Sequence, residues 1–143
     1  MKYFILLVTM LAILTVSGQA TPENSNPEIK KAVRKFSKLV TAGDEEGLKG
    51  ILHSKYRYMW HDGSKEPFIL DASGYIAMIK KAEQFRQVRT ITIESVKSYD
   101  GVNAIVQAIS DTESETLRSL FSLIKVNGKW VIIQELTVST FMG

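Results

Sequence analysis

Three aromatic side chains alternate with other residues in a short segment near the middle of the chain. Tyr56, Tyr58 and Trp60 occupy every second position of Tyr56–His61, which is the period of a β-strand and places all three on one face. Such rings can stack on a planar ligand, and they serve equally well in core packing or cross-strand pairing. The segment predicts a strand whose aromatic face is a candidate ligand contact.

The same segment ends in two residues that can exchange protons. His61 is followed by Asp62 and Gly63. An imidazole at this position could act as a general base near neutral pH, with Asp62 beside it. The alternative interpretation is structural, because a histidine at a strand end can bond to backbone and an Asp-Gly pair is typical of a turn. Tyr75, on a predicted helix, is the candidate hydrogen-bond donor if the protein is an enzyme.

Other candidate ligand contacts come from a helix and two later strands. Ile79 lies one helical turn after Tyr75, on the apolar face of the same predicted helix. Gln107 and Gln134 interrupt strands that are otherwise apolar. If these amides point inward they need partners or a ligand, because an unpaired buried amide costs about 1 to 3 kcal/mol. If they point outward they carry no functional meaning.

Several kinds of site are not expected. The two histidines, His53 and His61, lack a helical Glu-x-x-His pattern, and the chain has no cysteine, so we predict no metal site and no cofactor. No Gly-x-Ser-x-Gly elbow or glycine-rich phosphate loop occurs. The 18 basic and 15 acidic residues are interspersed, which argues against a nucleic-acid partner because such binders cluster their cations.

The amino terminus has the pattern of a secretory signal. Lys2 precedes an apolar run from Tyr3 to Val16, and the small residues Gly18 and Ala20 follow. The run is shorter than the roughly 20 residues that span a bilayer core. We therefore predict a signal peptide over residues 1–20, a flexible leader over 21–26 and one domain over 27–143. The protein is expected to be exported, soluble after cleavage near Ala20, and periplasmic or secreted, with no membrane contact after cleavage.

Helix signals dominate the first part of that domain. Asn26, Asp44 and Asp71 each stand where a side chain can cap a helix, and apolar residues follow at three- and four-residue steps. The first helix is expected to run to Val40 and to stop at Gly43. We predict three helices in all, with Tyr75 and Ile79 on the third.

After residue 84 the pattern changes to strands. Asp100-Gly101 and Asn127-Gly128 each separate two alternating segments, which is a strong hairpin signal. The predicted strands are Val88–Tyr99, Asn103–Ser110, Leu117–Val126 and Lys129–Val138. Helices followed by an antiparallel meander indicate an α+β fold with the helices covering one face of the sheet.

The order of these elements, with particular residues, resembles the nuclear transport factor 2-like superfamily, and within it the lumazine-binding-like and polyketide-cyclase-like branch. The resemblance covers about residues 27–140. The segments that carry it are Ala42-Gly43-Asp44, Leu48, Leu52-His53, Tyr56–His61 and Val126–Ile132. It implies a cone-shaped fold in which three amino-terminal helices pack on a curved antiparallel sheet and leave a pocket.

Three functional hypotheses remain open. The first is a non-catalytic, exported protein that holds an apolar or aromatic molecule in the conical pocket. The second, implied by enzymes of the superfamily, is an isomerase, cyclase or dehydratase using His61 and Asp62 with a tyrosine. The third is a homodimeric scaffold with a filled pocket, joined through the sheet face, because Leu120 and Phe121 indicate apolar residues on both faces of one strand.

Overall fold

Within the described part of the chain, three α-helices lie before residue 82. The computed structural model describes residues 26–63, 66–113 and 115–141, except for the side chains of residues 85, 140 and 141. The helices are α1 (Pro27–Ala42), α2 (Glu45–Ile51) and α3 (Ala72–Lys81), which confirms the predicted number. The predicted signal peptide and nearly all of the leader lie outside the described residues. Within those residues, no helix has the length and apolar character needed to cross a bilayer.

The predicted caps start each helix. The side chains of Asn26, Asp44 and Asp71 accept hydrogen bonds from backbone N–H groups in the first turns of α1, α2 and α3, at 3.4, 2.9 and 2.8 Å. Each bond satisfies a donor that the helix itself leaves without a partner. Gly43 ends α1 with φ of 63°, a left-handed conformation that glycine adopts without steric cost.

In the residues that the structure describes, six strands form one sheet. They are β1 (Leu52–His61), β2 (Phe68–Asp71), β3 (Thr90–Tyr99), β4 (Asn103–Asp111), β5 (Glu115–Val126) and β6 (Lys129–Phe141). β2 was not predicted, since its four residues follow a stretch rich in turn formers. The strand that was predicted to start at Val88 begins instead at Thr90 as β3, because a 3₁₀ turn at Glu83–Arg86 and a short connection come first.

The strand order is β2-β1-β6-β5-β4-β3. β1 runs parallel to β6 and antiparallel to β2, while β3 to β6 form the predicted antiparallel meander. Its hairpins turn at Asp100-Gly101 and Asn127-Gly128, where all four residues have positive φ. That conformation matches the right-handed twist of paired strands. The curved sheet packs against α1 through buried residues such as Ile29, Val33 and Phe36.

A β-bulge in β6 decides which of its residues face the helices. Leu123 pairs with Ile132, whereas Ser122 pairs with Gln134, so β6 carries one extra residue, Ile133. Such a residue reverses the in-and-out alternation that follows it. Ile132 faces the core, and beyond the bulge the inward positions are the odd-numbered ones, beginning with Glu135. The bulge thereby turns a carboxyl group toward the interior.

Candidate functional site

A cavity of about 560 Å³ lies between α1, α3 and the concave face of the sheet. This volume falls in the range of roughly 300 to 1,000 Å³ that is usual for small-molecule sites. Its apolar wall includes Phe36 and Val40 from α1, Tyr58 and Trp60 from β1, and Tyr75 from α3. The cavity differs from the filled interior that the scaffold hypothesis requires.

Aromatic rings form a contiguous cluster along that wall. The ring centroid of Tyr75 lies 4.9 Å from that of Tyr58, 5.5 Å from that of Tyr56 and 6.0 Å from that of Phe36. Ring pairs at these separations attract one another beyond simple burial of area, by about 0.5 to 1.5 kcal/mol each. The cluster is therefore stabilised by contacts among its own rings.

A polar stripe on β6 lines the cavity next to the rings of β1, the strand with which β6 pairs. Glu135, Thr137 and Ser139 occupy successive inward positions after the bulge, and all three line the cavity. Ser119 of β5 lies directly across from Thr137 in the sheet. A cavity lined by rings and, beside them, by hydroxyl and carboxyl groups suits a ligand with one apolar face and one polar edge.

Glu135 is the most constrained group of this stripe. Only 6% of the residue is exposed. The Tyr56 hydroxyl donates to Oε2 at 2.9 Å, and the hydroxyl oxygens of Thr137 and Ser119 lie 3.1 and 3.4 Å from Oε1. These two hydroxyls also lie 2.8 Å apart, and because each has a single proton, one donates to the other while the second donates to Oε1. Tyr56 and one of these hydroxyls therefore supply the partners that a buried polar group requires.

Burial shifts the protonation of this cluster. Loss of hydration raises the pKa of Glu135 from 4.5 to about 7, against the opposing effect of the hydrogen bonds from Tyr56, Thr137 and Ser119. Burial, and then the nearby Glu135 charge, raise the pKa of Tyr56 and Tyr75 well above the usual value. The tyrosines therefore remain protonated donors at neutral pH, while Glu135 can give or take a proton.

A pair of opposite charges, Arg89 and Glu115, also lines the cavity. Arg89, in the connection before β3, places Nη2 at 3.6 Å from a carboxylate oxygen of Glu115, the first residue of β5. The side chains are 8% and 24% exposed. The Arg89 charge also lowers the pKa of Glu135, although less than the hydrogen bonds do, which indicates that the two groups share one electrostatic environment.

Some of the residues predicted as ligand contacts meet in the cavity. Tyr58, Trp60, Tyr75 and Ile79 all line it. Tyr56 lies behind this wall, fully buried, where its hydroxyl holds Glu135. The aromatic face of β1 thus points inward as its alternation predicts, and contact of these side chains with a ligand stays a prediction.

The remaining candidates lie elsewhere. His61 sits opposite Val138 on the outer face of the sheet, and its Nδ1 accepts the backbone N–H of Gly63 at 3.3 Å. Asp62 is exposed in the turn after β1. Gln107 is exposed and accepts a hydrogen bond from the Ser95 hydroxyl at 2.7 Å. Gln134 pairs with Ser122 on the outer face, so the structure does not bring these four residues to the cavity.

The sequence interpretation missed the polar half of the site. Glu135 follows Gln134 directly, and only the bulge exchanges their directions. Arg89 and Glu115 stand at element ends, where no periodic pattern indicates a direction. The alternation of Glu135, Thr137 and Ser139 was a usable signal, since three polar residues at every second position predict one polar strand face. In the described part of the chain, no group of three His, Cys, Asp or Glu side chains is placed to hold a metal ion.

Comparison with known proteins identifies a family. A family model described as "Putative lumazine-binding" matches residues 24–136. No curated protein matches the chain. Three structural relatives illustrate the likeness in fold, and at their low sequence identities they establish the fold alone.

The three relatives are bacterial proteins. A nuclear transport factor 2-like protein of unknown function from Silicibacter pomeroyi aligns with a TM-score of 0.67 and 21% identity, covering 80% of this chain and 93% of that chain. A second such protein, from Shewanella baltica, aligns at 0.64 and 16%, covering 79% and 91%. A ketosteroid isomerase-like protein from Erwinia carotovora atroseptica aligns at 0.61 and 12%, covering 78% and 93%.

Proposed function

Because the chain belongs to this lumazine-binding-like family of the nuclear transport factor 2-like superfamily, we propose that its cavity binds a small molecule with an aromatic or apolar body and a polar edge. One observation carries the proposal: Tyr58, Trp60 and Tyr75 line the same cavity of about 560 Å³ as the polar stripe on β6. Such a combination supplies burial for affinity and directed hydrogen bonds for orientation. We propose that the protein holds this molecule rather than transforming it.

Binding to the cavity can be tested with an uncharged aromatic dye. N-phenylnaphthylamine fluoresces more strongly in apolar surroundings, so titration with the protein should raise its emission to saturation. Ser139→Trp adds bulk at a position that lines the cavity and should weaken binding by about 10-fold or more, the equivalent of about 1.4 kcal/mol. Thr92→Trp, at an exposed position of β3, is the matched control and should bind normally. Equal binding by all three proteins would refute the proposal.

A catalytic role is the second candidate, and Glu135 is the observation that favours it. A buried carboxyl group with a pKa near 7, fixed by Tyr56 at 2.9 Å, is suited to general acid–base chemistry at neutral pH. It would take the place proposed for His61 and Asp62. β-Tetralone in heavy water is a direct probe, since a positioned base exchanges the protons beside its carbonyl. Faster exchange that Glu135→Gln abolishes would establish catalysis, and no acceleration would exclude it for this probe.

The outer sheet face supports a homodimer. Leu136 and Val138 of the central strand β6 are 36% and 44% exposed, and Ile105 of β4 is 39% exposed. An apolar face of this kind is usually covered by a partner. Val138→Lys should shift the protein toward monomer in sedimentation velocity. Val88→Lys, which alters an apolar residue that is 85% exposed outside the strands, should not, and a monomeric wild-type protein would exclude the dimer.

Export is proposed from the amino terminus alone. Lys2, the apolar run Tyr3–Val16 and the small residues Gly18 and Ala20 have the pattern of a cleaved signal. Expression of the full chain in a bacterial host, followed by fractionation and amino-terminal sequencing, should yield a periplasmic or secreted protein that begins at Thr21. Recovery of intact chain from the cytoplasm would contradict export.

A further inference from the structure

Arg89 stands out among the residues around the cavity because its hydrogen-bonding capacity is only partly used. The side chain is 8% exposed, and Nη2 faces Glu115 at 3.6 Å, which is longer than a charge-assisted hydrogen bond of about 2.7 to 2.9 Å. Nη1 is buried, and no acceptor in residues 26–63, 66–113 and 115–141 reaches it. A buried guanidinium N–H without an acceptor is rare. It marks a position where a ligand atom can complete the set.

The Ser139 hydroxyl is a second buried polar group that lines the cavity. It has no hydrogen-bond partner among the side chains and backbone that the structure describes. Ser139 pairs with Leu117, and Glu115 lies two residues further along the same strand face. Arg89, Glu115 and Ser139 therefore lie around one end of the cavity. Two unused polar groups there indicate the polar edge of a ligand rather than a packing defect.

We propose that Arg89 binds an anionic oxygen of the ligand, so that the cavity selects small aromatic acids over neutral molecules of the same shape. The proposal rests on the proposed function, because it names the chemistry of the ligand in that same cavity. A guanidinium group presents its N–H donors in a fixed planar fork that matches a carboxylate. Within the described residues, Arg89 is the one cationic side chain that lines the cavity.

The charge balance makes this selection dependent on pH. The titratable groups around Glu135 are Tyr56 and Tyr58 of β1, Tyr75 of α3, and the Arg89–Glu115 pair. Burial holds the tyrosines neutral. Below the Glu135 pKa of about 7, Glu135 is neutral and the charges of Arg89 and Glu115 sum to zero, so a bound ligand anion is the only further charge in the cavity that the described residues line. Above it, the anion also meets the ionised Glu135, so affinity for an acid should fall as pH rises.

The test compares two probes that share shape and differ in charge. Naphthoate and naphthamide are titrated against the dye-loaded protein, and displacement of N-phenylnaphthylamine gives both dissociation constants. At pH 6 the wild type should bind the acid about 10-fold or more tightly than the amide, because a hydrogen bond to a charged group is worth at least this much. Arg89→Gln should bring the ratio to about one. The ratio of affinities is the readout, so a general loss of cavity shape does not imitate the effect.

The controls separate the charge from its surroundings. The double variant Arg89→Gln, Glu115→Gln removes both charges. It therefore tests the acid-to-amide affinity ratio without an unpaired Glu115 carboxylate that would itself repel the acid. Arg118→Gln removes an exposed arginine that pairs with Glu94 at 3.8 Å and should leave the ratio unchanged. Raising the pH to 8.5 should weaken naphthoate binding in the wild type, and Glu135→Gln should remove that dependence.

Two results have distinct meanings. The anion site is overturned if the wild type binds acid and amide equally, or if the preference for the acid survives in both Arg89 variants. In that case the proposed binding function still stands, provided that Ser139→Trp weakens dye binding. Dye binding that Ser139→Trp leaves unchanged overturns the proposed function, and the anion site is then rejected with it.

Discussion

Glu135 should make the stability of the protein fall as pH rises, which is opposite to the usual behaviour of a carboxyl group. The folded state holds the Glu135 proton with a pKa of about 7, whereas the ordinary value is 4.5. Between these two values the unfolded chain has released the proton and the folded chain still binds it. The free energy of unfolding therefore decreases as pH rises across this window. Outside the window the contribution of Glu135 does not change with pH.

The magnitude follows from the two pKa values. Each tenfold difference in proton affinity is equivalent to about 1.4 kcal/mol, so the interval from 4.5 to about 7 corresponds to a loss of about 3 kcal/mol. Glu135→Gln removes the charge while keeping an oxygen that can accept from the Tyr56 hydroxyl. The free energy of unfolding of the variant, minus that of the wild type, should therefore increase by about 3 kcal/mol as the pH rises from 4.5 to 8.

Urea unfolding followed by circular dichroism, at steps from pH 4.5 to pH 8.5 and constant ionic strength, measures this difference. Subtracting the wild-type curve removes the contributions of groups common to both proteins, such as Asp71, whose pKa is lowered by hydrogen bonds from Gly74 and Ser73. Glu113→Gln, at an exposed position, is the matched control and should change stability by less than about 0.5 kcal/mol throughout. A difference between Glu135→Gln and wild type that does not vary with pH would refute the buried, raised-pKa carboxyl group.

Three further predictions concern single contacts. Tyr56→Phe removes a 2.9 Å donor that favours the ionised form, so carbon-13 NMR should find the Glu135 pKa higher still, and an unchanged or lower pKa would count against the bond. Asp71→Ala removes the carboxylate that caps α3 by accepting the Gly74 N–H at 2.8 Å. It should lower the free energy of unfolding in urea by about 1 kcal/mol, and an unchanged value would mean that the cap contributes nothing. Gly43→Ala places a side chain at φ of 63° and should cost about 1 kcal/mol, a loss that thermal unfolding would detect and that an unchanged midpoint would contradict.

The fold was largely predictable because its signals are local. Caps at Asn26, Asp44 and Asp71 and the two hairpin turns are chemical features of a few adjacent residues, and each is confirmed in place. The parallel pairing of β1 with β6 was not predicted. It joins residues about eighty positions apart, such as Tyr58 and Glu135, and no local pattern specifies such a contact.

The apolar half of the site was also predictable, whereas the polar half was not. Strand alternation places Tyr58 and Trp60 on one face without knowledge of the rest of the molecule. The inward direction of Glu135 depends on a bulge of one residue at Ile133, and a shift of one position reverses every later side chain. Arg89 reaches the cavity from an irregular connection, where periodicity has no meaning.

The central claim is that the cavity holds a small molecule, and native mass spectrometry of the purified protein tests it most directly. A mass above that of the polypeptide should persist under gentle conditions, disappear on denaturation, and be reduced in Ser139→Trp but not in Thr92→Trp. A spectrum that shows only the polypeptide or its dimer, with the same masses in all three proteins, would contradict the claim.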